Sequence, residues 1–106
     1  MENRIIECIA NYDKTSFSDL SKHVEGFDGK LALRDPNNKG VVFWNNISEE
    51  AAEVICKLID DGKIKMIPTE IMTYMIDGLF PKMPLAKKLR SYASDHFYPV
   101  TFTLIK

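Results

Sequence analysis

Ser48-Glu49-Glu50-Ala51-Ala52-Glu53-Val54-Ile55-Cys56-Lys57-Leu58-Ile59-Asp60-Asp61-Gly62-Lys63-Ile64-Lys65-Met66-Ile67 carries a helix, its stop signal and a strand in one run. Ser48 is an N-cap, and Glu49 and Glu50 sit where a helix dipole favours acids. Ala51, Val54, Ile55, Leu58 and Ile59 recur at helical spacing and form a broad apolar face. Gly62 suits the left-handed position that closes a helix, because a Cβ would clash there. The spacing therefore predicts a helix over 48–61 and a strand over 63–67.

Upstream, Ile5, Cys8, Ile9 and Tyr12 share one helical face, so a first helix is expected from Asn3, as N-cap, to Tyr12. Ser16 and Asp19 form a Ser-x-x-Asp capping box for a second helix with Phe17, Leu20 and Val24 on its apolar stripe, ending at Gly26. From Lys30 to Trp44 the period changes. Leu31 and Leu33 alternate with polar or small residues, Asp35–Gly40 is dense in turn formers, and Val41-Val42-Phe43-Trp44 follows, which together predict a β-hairpin.

Downstream, Pro68-Thr69-Glu70 is expected to turn the chain into a second strand, Ile71–Ile76, punctuated by Asp77-Gly78. Pro81, Pro84 and Pro99 break up the next stretch, with room for two helical turns over Leu85–Ala93. Val100–Ile105 alternates like a half-buried strand.

The helix exit Leu58-Ile59-Asp60-Asp61-Gly62-Lys63-Ile64 and the Tyr74 segment give residues 48–76 a pattern that resembles the last helix and wing of a winged-helix domain. In such domains the last helix runs through a glycine into the first wing strand, and the wing returns through an aromatic-bearing strand. The resemblance implies an α+β fold, winged-helix-like, with three helices and a C-terminal wing hairpin. To this are added an inserted hairpin within 25–47 and a C-terminal strand. One domain spans 1–106, with a winged-helix-like part at 3–76 and a basic extension at 77–106. A small α+β sandwich unrelated to that family is the competing architecture.

With 106 residues, 45% hydrophobic and 27% charged, the chain suits a single packed domain. It shows no run apolar enough to span a bilayer and no signal-peptide core after Met1, and its two cysteines form no disulfide framework, which together suggest the cytoplasm. Cys8 and Cys56 both fall on apolar helix faces and are expected to be buried. The net charge of −1 conceals a division: residues 1–76 hold thirteen acids and nine bases, whereas residues 77–106 hold two acids and five bases.

Nothing in the chain marks an enzyme. Phosphate-cradling glycine loops, a nucleophile elbow and Cys-x-x-Cys are all missing from the sequence. A Cys8 or Cys56 nucleophile with His23 or His96 as base would have to be assembled by folding, against the raised thiol pKa that burial brings. The same four residues have the ligand types for zinc but lack close-paired spacing, so neither metal nor cofactor is expected.

A winged-helix resemblance first implies nucleic-acid binding, yet Glu49, Glu50 and Glu53 crowd the helix that would enter the groove. The cations lie elsewhere: Lys63 and Lys65 on the wing, then Lys82, Lys87, Lys88 and Arg90, followed by Tyr92 and His96. These are the candidate residues for binding nucleic acid or a partner. Trp44, Phe97 and Tyr98 are candidate interface aromatics, and methionines 66, 72, 75 and 83 cluster near the wing. The leading expectation is a non-catalytic module that binds a protein partner or itself, without membrane contact. The alternative is DNA binding through the basic segment and wing.

Overall fold

The computed structural model describes residues 1–12 and 14–105, with only the backbone at position 77. In chain order the elements are α1 (Glu2–Asn11), β1 (Thr15–Ser16), α2 (Phe17–His23), β2 (Leu31–Arg34), β3 (Val41–Ile47), α3 (Glu49–Asp60), β4 (Ile64–Pro68), α4 (Met72–Asp77), β5 (His96–Phe97) and β6 (Val100–Leu104). They form a compact α+β fold with four helices and two small sheets among the described residues.

Local signals act where the sequence places them. At α2 the Asp19 N–H donates to Ser16 Oγ and the Ser16 N–H donates to Asp19 Oδ2, both at 3.0 Å, closing the capping box. Ser48 caps α3 by accepting from Ala51 N–H at 3.1 Å, while its own hydroxyl donates to Gly26 O at 2.7 Å. Gly62 takes φ +71°, and the Lys63 and Gly62 N–H groups donate back to Leu58 O and Ile59 O, turning the chain into β4. Asn3, expected as the first cap, lies inside α1 instead: the helix starts at Glu2 with Met1 at the cap, two residues earlier. The predicted hairpin of β2 and β3 forms, with register shifts along β2.

Residues 71–76 do not form a strand. They are β-branched and aromatic enough to suit one, but Ile71 and Tyr74, three apart, are the side chains turned inward, and α4 results. Gly78 at φ +73° accordingly closes a helix, with its N–H shared between Tyr74 O and Met75 O, where Asp77-Gly78 had suggested a strand end. No wing hairpin of 63–67 with 71–76 exists. The partner of β4 is β6, antiparallel, with Ile64 opposite Leu104 and Pro68 opposite Val100.

Residues 77–106 are consequently no appended extension. β6 is the middle strand of the sheet β1-β6-β4, and Val100, Thr101 and Phe102 are buried in succession, so the half-buried alternation expected there gives way to a covered central strand. β5 completes the other sheet, β2-β3-β5, in parallel with β3. Residues 25–47 are likewise integral, contributing Phe27, Val41, Val42, Trp44 and Ile47 to the buried set. The helical turns anticipated over 85–93 are missing because the backbone bonds outward: Ala86 N–H donates to Phe97 O and Tyr92 N–H to Lys39 O.

A chain of rings joins the sheets. Phe17 stacks on Trp44 at 5.6 Å between centroids and meets Phe102 edge-on at 5.0 Å; Tyr74 lies against Trp44 at 5.8 Å and edge-on to Phe97 at 5.2 Å. The Tyr74 hydroxyl accepts from Phe17 N–H at 3.0 Å and donates to Val100 O at 2.6 Å, tying α4 to α2 and β6. Ser18 Oγ and Trp44 Nε1 are buried without a hydrogen-bond partner, a cost the surrounding apolar burial offsets.

Candidate interaction surface

Because Tyr74 fastens α4 by one side, the helix presents its opposite side outward. Met72, Met75 and Ile76 are 57%, 53% and 81% exposed, and Leu79 and Phe80 continue the apolar surface past the helix end. Of the ten large apolar side chains exposed among the described residues, seven lie between Met72 and Leu89, so the exposure is concentrated rather than scattered. Scattered exposed apolar side chains are ordinary on a protein surface, whereas clustered ones mark a candidate contact surface. Met72, Met75, Ile76 and Leu79 stand at i, i+3, i+4 and i+7, a helical signal that the strand reading of 71–76 passed over.

The predicted interface aromatics fare differently. Trp44 is 1% exposed and Phe97 is fully covered, both within the ring cluster, so neither is available at a surface. Their apolar area closes the core, which is where large rings are most stabilising. Tyr98 is half-buried and packs edge-on against Phe43 at 6.2 Å.

Beside α4, residues 82–90 carry exposed Lys82, Lys87, Lys88 and Arg90. Their course is set by β5, since Phe97 N–H donates to Pro84 O and Leu85 bridges to Phe97. Arg90 lies 4.8 Å from the Tyr92 ring centroid, and Tyr92 stacks on His96 at 4.1 Å. The Tyr92 hydroxyl donates to Lys88 O at 2.9 Å, and His96 Nδ1 sits 2.8 Å from Ser94 O, so this group is preassembled. Asp95, the acid nearest in sequence, is engaged by both terminal nitrogens of Arg34 at 2.7 and 3.0 Å, and that hydrogen bonding holds its carboxyl below the usual range.

Lys63 and Lys65 do not join that group. They stand at the start of β4, whereas Lys87 shares a cleft with Pro68 at its end, and the strand separates them by about 13 Å. That cleft, of about 250 Å³, is walled by Ile71, Leu85, Ala86, Lys87, Tyr98 and Pro99 among others. The exposed Glu49, Glu50 and Glu53 belong to the α3 start, as expected of a dipole-stabilised helix end.

Among the described residues the two histidines stand apart. His23 stacks on Tyr12, with its Nε2 at 3.2 Å from the hydroxyl, while His96 is on β5. No grouping of three or more His, Cys, Asp or Glu suited to a metal ion occurs among the described residues. Burial pushes the Cys8 thiol up to about 11, with Asp19 adding to the effect. Cys56, expected to be buried, lies exposed on α3, because Ile55 and not its neighbour takes the core position; partial shielding of its sulfur and then Asp60 raise its pKa as well. A thiol reagent near neutral pH should therefore label Cys56 in the folded chain and Cys8 only after denaturation, as peptide mass spectrometry would read. Rapid labelling of Cys8 under native conditions would contradict that burial.

No helix among the described residues is long and apolar enough to cross a membrane. Comparison with protein-family models, with curated proteins and with solved structures finds no match to this chain.

Proposed function

We propose that the chain is a non-catalytic, cytoplasmic binding module whose docking surface is the outer side of α4 together with the cations at 82–90. The observation that carries this reading is the exposed apolar side of α4, Met72, Met75 and Ile76, continued past the helix end by Leu79 and opposite the doubly bonded Tyr74 hydroxyl. Methionine and aromatic side chains are adaptable contact formers, and leaving Ile76 in water costs about 1.5–3 kcal/mol relative to covering it. The winged-helix-like architecture belongs to the same proposal. Support for it comes from the exit of α3 through Gly62 into β4 and the antiparallel return through β6, which bears Phe102. The wing loop is then the long passage over 69–99.

A photo-crosslinking residue placed at position 76 or 87, in cells that express the chain, should yield adducts of defined mass. Position 53, on the acidic side of α3, should yield none. Equal adducts at all three positions would remove α4 as the docking surface.

The four exposed cations between Lys82 and Arg90 also favour a second reading, nucleic-acid binding through this segment. Affinity for duplex DNA would then fall steeply with salt, and changing Lys87, Lys88 and Arg90 to glutamine would flatten the slope by about 2–3. Affinity indifferent to salt and to those changes rules this reading out. The distance of Lys63 and Lys65 from the segment weighs against one continuous phosphate track.

A further inference from the structure

Resting on the docking surface proposed above, we infer that its occupant is an acidic polypeptide segment with one large apolar anchor residue. The anchor enters the cleft between Ile71, Leu85 and Tyr98, and its flanking carboxylates meet Lys87 and Lys88. The cleft is concave, its lining divided between apolar Ile71, Leu85, Ala86 and the prolines and polar Thr69, Tyr98 and Lys87, so one inserted apolar side chain and one adjacent carboxylate satisfy it together. Charge on this side is lopsided. Lys82, Lys87, Lys88 and Arg90 are exposed and Asp95 is occupied by Arg34, whereas the exposed Glu70, between the cleft-lining Thr69 and Ile71, shares a recess with Lys14, so cations outnumber acids here.

That imbalance argues against a second copy. A twofold contact centred on α4 would set each cationic surface against its duplicate, and like charges brought together oppose association. A head-to-tail contact with Glu49, Glu50 and Glu53 of another copy is complementary in charge but builds rings or open chains, which a molar mass above that of one chain would reveal. A bilayer supplies anionic headgroups but no protruding side chain to fill a concavity. An acidic peptide with an apolar anchor supplies both.

The test selects random peptides of about twelve residues, displayed on phage, against the immobilised full chain, then measures a fluorescein-labelled winner by anisotropy. Enriched sequences should share one large apolar residue next to two or more acids. Replacing that apolar residue by alanine, or pairing Lys87→Glu with Lys88→Glu in the chain, should each weaken binding about tenfold or more. Thermal melts show that the variants fold, since both lysines are exposed. Winners that need Ile76, lost in Ile76→Asp, but ignore the lysine reversals would overturn the acidic partner while leaving the α4 surface standing. Winners that ignore all these changes would remove both. Sedimentation with phosphatidylglycerol-containing vesicles in the absence of peptide enrichment, or a molar mass by light scattering that doubles and reverts in Ile76→Asp, would assign the surface to lipid or to a second copy and overturn the inference.

Discussion

Phe17→Ala should cost about 3–5 kcal/mol, the range for deleting a buried aromatic ring from a packed core. Phe17 is fully covered and is the ring on which the two sheets meet, stacked on Trp44 of β3, edge-on to Phe102 of β6 and tilted against Phe27. Each such ring pair adds about 0.5–1.5 kcal/mol beyond the area it buries. A chain of this size has roughly 5–15 kcal/mol of stability in total, so the variant should be largely or marginally unfolded near body temperature. Phe17→Leu, which keeps most of the volume, should lose less than half as much. Urea denaturation followed by tryptophan fluorescence reads both, since Trp44 reports on this contact. A loss under about 1 kcal/mol for the alanine variant would mean that the sheets are joined elsewhere.

Tyr74 is the second position with a large expected effect, and it separates ring from hydroxyl. Tyr74→Ala removes the ring lying between Trp44 and Phe97 and should cost about 3–5 kcal/mol. Tyr74→Phe keeps the ring and deletes the oxygen that receives Phe17 N–H and bonds Val100 O. Because buried polar groups deprived of a partner bear the desolvation penalty, this single-atom change should still cost about 1–3 kcal/mol. The loss should also be local. Of the described side chains of α4, Tyr74 is the fully buried one, so amide exchange over 71–78 should accelerate before the rest of the chain opens. Uniform acceleration across all helices would show that α4 is not a separately anchored unit. If α4 is the docking surface, binding should weaken in Tyr74→Phe although the hydroxyl touches no partner.

These two residues also explain where reading the sequence succeeds. Ser16 with Asp19, Ser48 with Ala51, and Gly62 after Leu58 and Ile59 act across three to five residues, so the signals that start α2 and α3 and stop α3 are complete within a short window, whereas α2 ends at His23, short of the expected Gly26. The turn formers of 35–40 similarly suffice to place the β2–β3 hairpin. The cations at 82–90 were legible for the same reason: charged side chains in a proline-interrupted stretch remain in water wherever the backbone goes. What eluded that reading was the apolar half of the surface. Ile71, Tyr74 and Ile76 favour a strand by residue type, and that preference masked the helical spacing of Met72, Met75, Ile76 and Leu79.

By itself, then, the sequence determined the first three helices with the N-caps of the second and third, the hairpin, the strand after Gly62 and the charge division between the two parts of the chain. Tertiary structure alone decided that Tyr74 anchors α4, that the last strand is inserted between the first and fourth, and that Trp44 and Phe97 are interior while Ile76 is not. The physical reason is range. The hydroxyl that holds α4 finds its partners 57 and 26 residues away, and whether such a bond can form is settled by packing of the whole chain and not by any neighbourhood within it.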